Sequence, residues 1–160
     1  MKFSKVRPVK TPEYGTPGSA GIDFYVPDDA GVRTLMPHSD ILIPSGICAN
    51  IPEGYMLMGA DKSGVVTSAR ACYNAGRNPK KDAFECSVII GAKICDSDYQ
   101  GEIHIHLINT GSFPIAIYPG MKIAQFILVP ILHAALEEVP ATHLFNTATE
   151  RGNGGFGSTN

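Results

Sequence analysis

Glycine and proline recur so often along this chain that long helices are excluded over most of its length. The 160 residues include 17 glycines and 12 prolines, with short apolar runs between them. Both residues disfavour helix interiors, and short apolar runs that end in turns are typical of β-strands. In residues 103–107, apolar side chains alternate with histidines, as on a strand with one buried face. The sequence therefore predicts an all-β domain, a jelly-roll-like barrel or sandwich.

The predicted strands are separated by turns that contain glycine or proline. Besides 103–107, the candidate strands are residues 22–26, 41–43, 47–51, 55–58, 115–118 and 121–129. The one helix candidate with a clear end is residues 133–138, which Pro140 stops. Residues 61–86 interrupt the succession of short predicted strands and are predicted to form a long loop. Long loops inside compact domains are usually functional or mobile.

The composition excludes several classes of protein. Hydrophobic residues make up 44% and charged residues 18% of the chain, which is typical of a folded domain. The longest nearly apolar stretch, residues 123–136, is too short to span a bilayer, and the N-terminal residues lack the apolar segment of a signal peptide. A net charge of −2 argues against a nucleic-acid coat. We therefore expect a cytoplasmic protein, in a bacterial or host cytosol and encoded by a cell or by a virus, with no membrane or stable nucleic-acid partner.

Four short internal segments carry side chains suited to phosphate or nucleotide chemistry. Residues 61–64 (DKSG) combine an ammonium, a hydroxyl and an exposed amide. Residues 95–102 (CDSDYQGE) place two carboxylates at a strand entry, where one can act as a general base. Residues 20–23 (AGID) and 119–125 (PGMKIAQ) add a carboxylate and a side-chain amide. Each segment alone also has an ordinary explanation, as a surface turn or an Asx turn.

A fifth segment is the glycine-rich C-terminus, residues 151–160. Four glycines within six residues follow Arg151, and such a backbone can turn its N–H groups toward an anion. Phe156 is unusual in a plain linker because it has no core to join, and a ring that closes over a planar base would explain it. The segment lacks the Lys-Ser/Thr pair of a P-loop. It is therefore either a flexible terminus or an arm that closes over a ligand.

Taken in order, the five segments resemble the five motifs of the trimeric dUTPase family. The resemblance runs from about residue 16 to residue 160. It implies a jelly-roll-like β domain over residues 1–146, with a loop insertion at about 66–85, and a flexible arm over 147–160. It also implies a homotrimer with a swapped C-terminal arm, which closes over an active site formed by neighbouring subunits.

The resemblance further implies a reaction and a role for each site residue. Asp96 is expected to be the catalytic base, which activates the water that attacks the α-phosphorus of dUTP and releases dUMP and diphosphate. Asp23 is expected to act near a Mg²⁺ ion carried by the triphosphate, through water or through a basic partner. The expected phosphate contacts are Lys62, Ser63, Gly64, Gln125, Arg151, Gly157 and Ser158. The expected contacts to the nucleoside are Ile90, Ile94 and Cys95 in a hairpin that reads uracil, Tyr99 against the deoxyribose, His104, and Phe156 stacked on the base.

Three features depart from the family pattern. Lys62 stands where Arg is usual, Ile90 and Lys93 stand where the hairpin usually has Asn and Gly, and residues 66–85 lengthen the loop. The unusual hairpin and the insertion keep a second hypothesis open, a dUTPase-like protein with a binding or regulatory role. A third hypothesis is the related dCTP deaminase family, which shares the fold, but its catalytic glutamate would fall at His106 here.

Overall fold

A computed structural model describes residues 1–66 and 87–154 of the chain. Within these ranges the regular structure is almost entirely β, as predicted. The strands are β1 (Lys2–Lys5), β2 (Glu13–Tyr14), β3 (Ile22–Tyr25), β4 (Arg33–Leu35), β5 (Asp40–Pro44), β6 (Ile47–Asn50), β7 (Tyr55–Ala60), β8 (Val88–Ile90), β9 (Ile94–Cys95), β10 (His104–Asn109), β11 (Ile115–Ile117) and β12 (Lys122–Pro130). The described helical structure is α1 (Ser63–Val66) and a 3-10 turn at Ala141–His143.

Antiparallel pairing joins the described strands into four sheets. Strands β2, β3, β12, β7 and β9 form a five-stranded sheet in that order, and β5, β10 and β8 form a three-stranded one. The pairs β1–β6 and β4–β11 are the other two sheets. Strands of the five-stranded sheet come from distant parts of the chain. The sheet therefore brings the predicted segments 20–23 and 119–125 side by side.

Side chains from all four sheets meet in one apolar core. Phe24 and Phe126 pack there with their ring centroids 4.6 Å apart. The alternation predicted for residues 103–107 is confirmed, because Ile105 and Leu107 are buried whereas the histidines between them are not. Burying one such side chain stabilises a fold by about 1.5–3 kcal/mol. A slip of β10 by one residue would expose this face, so burial fixes the register of the strand.

The predicted strands all coincide with observed strands, to within two residues at either end. The helix predicted for residues 133–138 is wrong, because these residues have no regular structure and are exposed. A short helix needs a packed face to be stable, and this segment packs none. Residues 63–66, predicted as loop, form α1 instead. The remainder of the predicted insertion, and the helical turn considered near residues 69–73, lie outside the described residues.

The hairpin predicted around residues 90–95 is instead a corner between two sheets. Strand β8 pairs with β10, whereas β9 pairs with β7. The chain therefore leaves the three-stranded sheet at Ile90 and enters the five-stranded sheet at Ile94. Residues 91–93 form the turn between them, and we call this segment the corner turn.

The chain that follows β12 lies on the surface. Leu132 and Leu136 expose 99% and 97% of their area, and Phe145 exposes 79%. These apolar side chains are not buried in the core of the chain. In the part of the chain that the structure describes, no helix combines the length and the apolar character needed to cross a membrane.

Candidate active site

A cleft of about 220 Å³ brings together Asp96 and four of the residues predicted to contact the nucleoside, Ile94, Cys95, Tyr99 and His104. Its lining is Leu42, Ala92, Lys93, Ile94, Cys95, Asp96, Tyr99, Ile103, His104 and Phe126. Half of these residues are predicted site residues, drawn from β9, the turn after it and the start of β10. Ile90 does not line this cleft, because its side chain is buried in the core.

The backbone carbonyl of Glu102 orients two side chains of the cleft. The hydroxyl of Tyr99 donates to this oxygen at 2.9 Å, and Nδ1 of His104 lies 2.8 Å from it. A carbonyl accepts only, so Nδ1 of His104 carries the proton, and in the neutral ring Nε2 is left as an acceptor. Gly101 leaves room for the ring in this position, since a Cβ atom would lie 2.5 Å from the Tyr99 hydroxyl oxygen. This contact gives a physical reason for the Tyr-Gln-Gly order in the segment.

Glu102 is itself fixed from the other side. Its carboxylate accepts hydrogen bonds from Nε of Arg7, at 2.9 and 3.1 Å, and from the backbone N–H of Gly46 at 2.7 Å. The N-terminal segment is therefore tied to the residue whose carbonyl positions Tyr99 and His104. The single N–H on Nε of Arg7 is shared between the two carboxylate oxygens, and the opposite charges strengthen this hydrogen bond.

Asp96 lies at the turn that follows β9, and it is exposed. Its backbone carbonyl accepts the N–H of Tyr99 at 3.2 Å, which closes the turn. Asp98 is not part of the cleft lining, although it is equally exposed. Burial, aided by the charge of Asp96, raises the pKa of the Cys95 thiol. Of the two aspartates in the segment, only Asp96 lines the cleft.

A second group of charged residues surrounds Asp23 on β3. Its buried carboxylate accepts the ammonium of Lys62 at 2.8 Å on one oxygen and that of Lys122 at 2.7 Å on the other. Burial by itself would raise the pKa of Asp23, but the hydrogen bonds and charges of Lys122 and Lys62 outweigh it, so the pKa is lowered. The same contact raises the pKa of Lys122. The two lysine side chains are 25% and 33% exposed, so their charges remain open to an anion.

Gln125 on β12 connects this group to the loop after β7. Its Nε2 donates to the backbone carbonyl of Asp61 at 2.9 Å. The carboxylate of Asp61 in turn accepts the N–H of Ile90 at 2.6 Å. Gly21 leaves room for the amide, because a Cβ atom there would lie 2.5 Å from Oε1 of Gln125. The glycine of the first segment and the glutamine of the fourth are therefore in contact.

Within the single chain, the two groups of site residues are separate. The lining of the Asp96 cleft contains none of Asp23, Lys62 and Gln125. Strand β7 lies between them, with β12 on one side and β9 on the other. The predicted residues thus form two half-sites in the single chain, one with partly exposed cations and one with an exposed carboxylate.

The remaining predicted contacts lie near α1 and in the arm. Ser63 and Gly64 form the start of α1, directly after Lys62. Arg151 donates from Nε to the carbonyl of Gly154 at 2.8 Å, which is a contact within the arm itself. Phe156, Gly157 and Ser158 lie outside the described residues.

Comparison with known proteins identifies the family. A family model described as dUTPase matches residues 65–160, more than half of the chain. The deoxyuridine 5′-triphosphate nucleotidohydrolase of Chlamydia pneumoniae is 38% identical over 148 residues, which cover 92% of this chain and 89% of that protein. The chain belongs to the dUTPase family. The matched residues include the third, fourth and fifth segments, and so both Asp96 and the glycine-rich C-terminus.

Solved dUTPase structures share the fold. The dUTPase of Staphylococcus bacteriophage 80alpha, with dUpNHpp, matches with a TM-score of 0.76 and 22% identity, over 99% of this chain and 97% of that one. An Asp-to-Asn variant of the dUTPase from phage phi11 of S. aureus matches with a TM-score of 0.67 and 20% identity, over 86% of this chain and 95% of that one. The latter structure is described as revealing how a structural Mg(II) ion is coordinated. The all-β architecture is therefore that of the dUTPase family.

The described residues do not supply a direct ligand set for a metal ion. Across residues 1–66 and 87–154, no three side chains of His, Cys, Asp or Glu are placed to hold one. The buried carboxylate of Asp23 already faces two ammonium groups, which repel a divalent cation. Asp23 was predicted to act near Mg²⁺ either through water or through a basic partner, and the contacts with Lys62 and Lys122 are consistent with a basic partner. A metal ion held by the phosphate oxygens of a nucleotide needs no protein ligand set.

Three residues in or beside the half-sites were not predicted as site residues from the sequence. Asp61 and Lys122 stand inside the segments DKSG and PGMKIAQ, so their position in a motif was the available signal. His106 contacts the corner turn, and only the alternation of residues 103–107 pointed to its exposed face. Asp61 contacts Ile90, which is 29 residues away in sequence. Lys122 contacts Asp23, 99 residues away, and His106 contacts Ala92, 14 residues away. Spacing along the chain carries no information about such pairs.

Proposed function

We propose that this protein hydrolyses dUTP to dUMP and diphosphate, with Asp96 as the general base. The observation that carries the proposal is the exposed carboxylate of Asp96 in one cleft with Tyr99 and His104. A carboxylate that faces a cleft can hold a water molecule and accept its proton. Membership of the dUTPase family supplies the substrate.

In the proposed reaction, Asp96 accepts a proton from the water as its oxygen bonds to the α-phosphorus. The bond from that phosphorus to the oxygen bridging the α and β phosphates breaks, and diphosphate leaves. Tyr99 packs against the deoxyribose and excludes a 2′-hydroxyl. Its hydrogen bond to Glu102 keeps the ring in place while the sugar binds. In this proposal Tyr99 positions the nucleotide and Asp96 takes up one proton.

The phosphate chain is proposed to bind at the Asp23 group. Lys62 and Gln125 contact phosphate oxygens, with Ser63, Gly64 and the arm residue Arg151. The buried carboxylate of Asp23 holds the ammonium of Lys62 in place, since Oδ1 of Asp23 lies 2.8 Å from Nζ of Lys62. Bound to the triphosphate, Mg²⁺ neutralises part of its charge. We treat the ion as part of the nucleotide substrate, near Asp23 but not bound by it directly.

We also propose that the active site forms between subunits of a homotrimer. The lining of the cleft contains no residue of the Asp23 group, and this supports a nucleotide that contacts both groups by lying between two copies. The exposed leucines at positions 132 and 136 support this assembly, because they give the segment after β12 an apolar surface for a neighbouring subunit. The division into a domain of residues 1–146 and an arm of 147–160 belongs to the same proposal, with Phe156, Gly157 and Ser158 closing over the nucleotide.

The test is diphosphate release from dUTP with Mg²⁺, by the wild type and by two matched variants. Asp96→Asn removes the base with almost no change of shape, and we expect the rate to fall by about 10²–10⁴-fold. Asp98→Asn makes the same chemical change two residues away, outside the cleft, and we expect a rate close to that of the wild type. Equal rates for Asp96→Asn and the wild type would contradict the role of Asp96.

A nucleotide panel separates the alternatives. We expect turnover of dUTP well above that of dTTP, dCTP and UTP. Ammonia release from dCTP would instead support the deaminase hypothesis. A protein with no turnover of any of these nucleotides, but with full partner binding by Asp96→Asn, would support the binding or regulatory hypothesis.

A further inference from the structure

His106 connects the corner turn to a neighbouring strand. It lies on β10 opposite Leu42 of β5, and Asp40 is the diagonal neighbour on the same face. Nε2 of His106 lies 2.9 Å from Oδ2 of Asp40. On the other side of the ring, the backbone N–H of Ala92 donates to Nδ1 at 3.1 Å. One side chain thus bridges a carboxylate and the backbone of the turn.

These contacts determine the tautomer of the ring. Nδ1 can accept from Ala92 only if it carries no proton. The proton of the neutral ring is then on Nε2, which donates it to Asp40. Asp40 therefore fixes both the rotation of the ring and the nitrogen that faces the turn, as a carboxylate commonly does for a histidine. The side chain of His106 is 26% exposed, so the bridge is partly shielded from water.

The corner turn leaves space for the imidazole of His106 and forms a second hydrogen bond with this residue. The N–H of Gly91 donates to the backbone carbonyl of His106 at 2.9 Å, so His106 holds two successive N–H groups. A Cβ atom on Gly91 would collide with the imidazole, and therefore no other residue type leaves room for it. At the opposite end, the carbonyl of Lys93 accepts the N–H of Gly59 at 2.6 Å. The turn is anchored to β10 on one side and to β7 on the other.

The position of this turn matters because it forms one wall of the cleft. Ala92 and Lys93 line the cleft together with Asp96 and Tyr99. A planar pyrimidine is recognised by donors and acceptors at fixed separations, and displacement by a fraction of an ångström weakens each bond. Strand pairing leaves residues 91–93 between the two sheets, so the anchors at either end must set their position.

We infer that His106 is a positioning residue. It holds the corner turn in place, and the backbone of the corner turn forms the wall of the cleft that binds the base. The inference rests on the proposed function, because the base is that of dUTP. His106 does not line the cleft and has no part in the chemical step. Its loss should therefore weaken nucleotide binding and leave the rate at saturation nearly unchanged.

Two variants separate the two ends of the bridge. In His106→Asn, the amide oxygen can replace Nδ1 as the acceptor for Ala92, but the contact with Asp40 is lost. In His106→Gln, the amide nitrogen can replace Nε2 as the donor to Asp40, but the acceptor for Ala92 is lost. We expect Gln to raise KM for dUTP about tenfold, which corresponds to one lost hydrogen bond, and to change kcat less than about twofold. We expect Asn to raise KM less than about threefold.

Hydrogen exchange at the amide of Ala92, measured by NMR, gives a readout that is independent of activity. We expect exchange about tenfold faster in His106→Gln and nearly unchanged in His106→Asn. Equal KM values for the two variants, or unchanged exchange in the Gln variant, would overturn the inference. If the wild type did not hydrolyse dUTP, the proposed function and the base-binding part of the inference would fail, whereas the exchange result would still decide whether His106 holds the turn.

A third variant keeps the test usable if His106→Gln does not fold. Asp40→Ala removes the acceptor for Nε2 at a side chain that is 66% exposed, where substitutions are well tolerated. The freed ring should accelerate exchange of Ala92 about threefold and raise KM in the same direction. No change in either quantity would overturn the role given to Asp40.

Discussion

Asp61 and Ile90 are joined by a hydrogen bond of 2.6 Å, from the backbone N–H of Ile90 to the carboxylate of Asp61. The carbonyl of the same aspartate accepts the side-chain amide of Gln125 at 2.9 Å. One residue of the DKSG segment thus links the strand before the corner turn to the predicted phosphate contact on β12. Oδ2 of Asp61 also lies 3.8 Å from Nζ of Lys93, which lines the cleft, so Asp61 contacts a residue of each half-site.

Substitution of Asp61 should therefore affect both stability and binding. Removing the acceptor in Asp61→Ala leaves the N–H of Ile90 unpaired, which should lower the free energy of unfolding by about 1–3 kcal/mol. Asp61→Asn keeps an oxygen in place and should lose less than half of that. Urea unfolding at matched protein concentration measures both values. An Ala variant as stable as the wild type would show that this hydrogen bond contributes nothing.

Acid should weaken the fold through Asp23. The pKa of its carboxyl is lowered from the usual 3.8, so folding favours the charged form. The stability from its two ion pairs is therefore complete above pH 3.8 and is lost as pH falls through the lower pKa of the folded state. Asp23→Asn should be less stable at neutral pH by roughly 2–4 kcal/mol and should lose less stability on acidification. The measurement is the free energy of unfolding against pH, with the exposed Asp98→Asn as control, whose profile should follow the wild type.

Tyr99 should determine the preference for deoxyribose. Tyr99→Ala removes the ring proposed to exclude the 2′-hydroxyl, so kcat/KM for UTP relative to dUTP should rise by about tenfold or more. Tyr99→Phe keeps the ring and loses only the hydrogen bond to Glu102. It should keep most of the discrimination. Identical UTP-to-dUTP ratios for Tyr99→Ala and the wild type would exclude the sugar-contact role.

Truncation after Glu150 tests the C-terminal arm. Removal of residues 151–160 takes away Arg151 and the glycine-rich segment but leaves every described strand intact. We expect kcat/KM for dUTP to fall by about 10²-fold or more, since the truncation removes several proposed phosphate contacts and Phe156. Sedimentation should show the same oligomer as the full chain. Full activity of the truncated protein would contradict the proposed closing of the arm, and loss of the oligomer would assign the arm to assembly instead.

The sequence determined the properties that depend on near neighbours along the chain. Turn residues and short apolar runs were enough to place seven strands, because a strand can be recognised from the pattern of only a few residues. These strands are β3, β5, β6, β7, β10, β11 and β12. The five ordered segments were enough to indicate the family. The composition excluded a disordered chain. None of these conclusions needed to know which strand lies beside which.

Only the tertiary structure decided how the segments meet. It placed β12 between β3 and β7, which brings Gln125 within reach of Asp61 and brings Lys122 to Asp23. It showed the predicted hairpin as a corner between two sheets, and it gave His106 its contact with the corner turn. Strand order is fixed by burying many apolar faces in one core at once, a condition on the whole chain that no local pattern contains. The site residues depend on that order, because each half-site is assembled from strands that are distant in sequence.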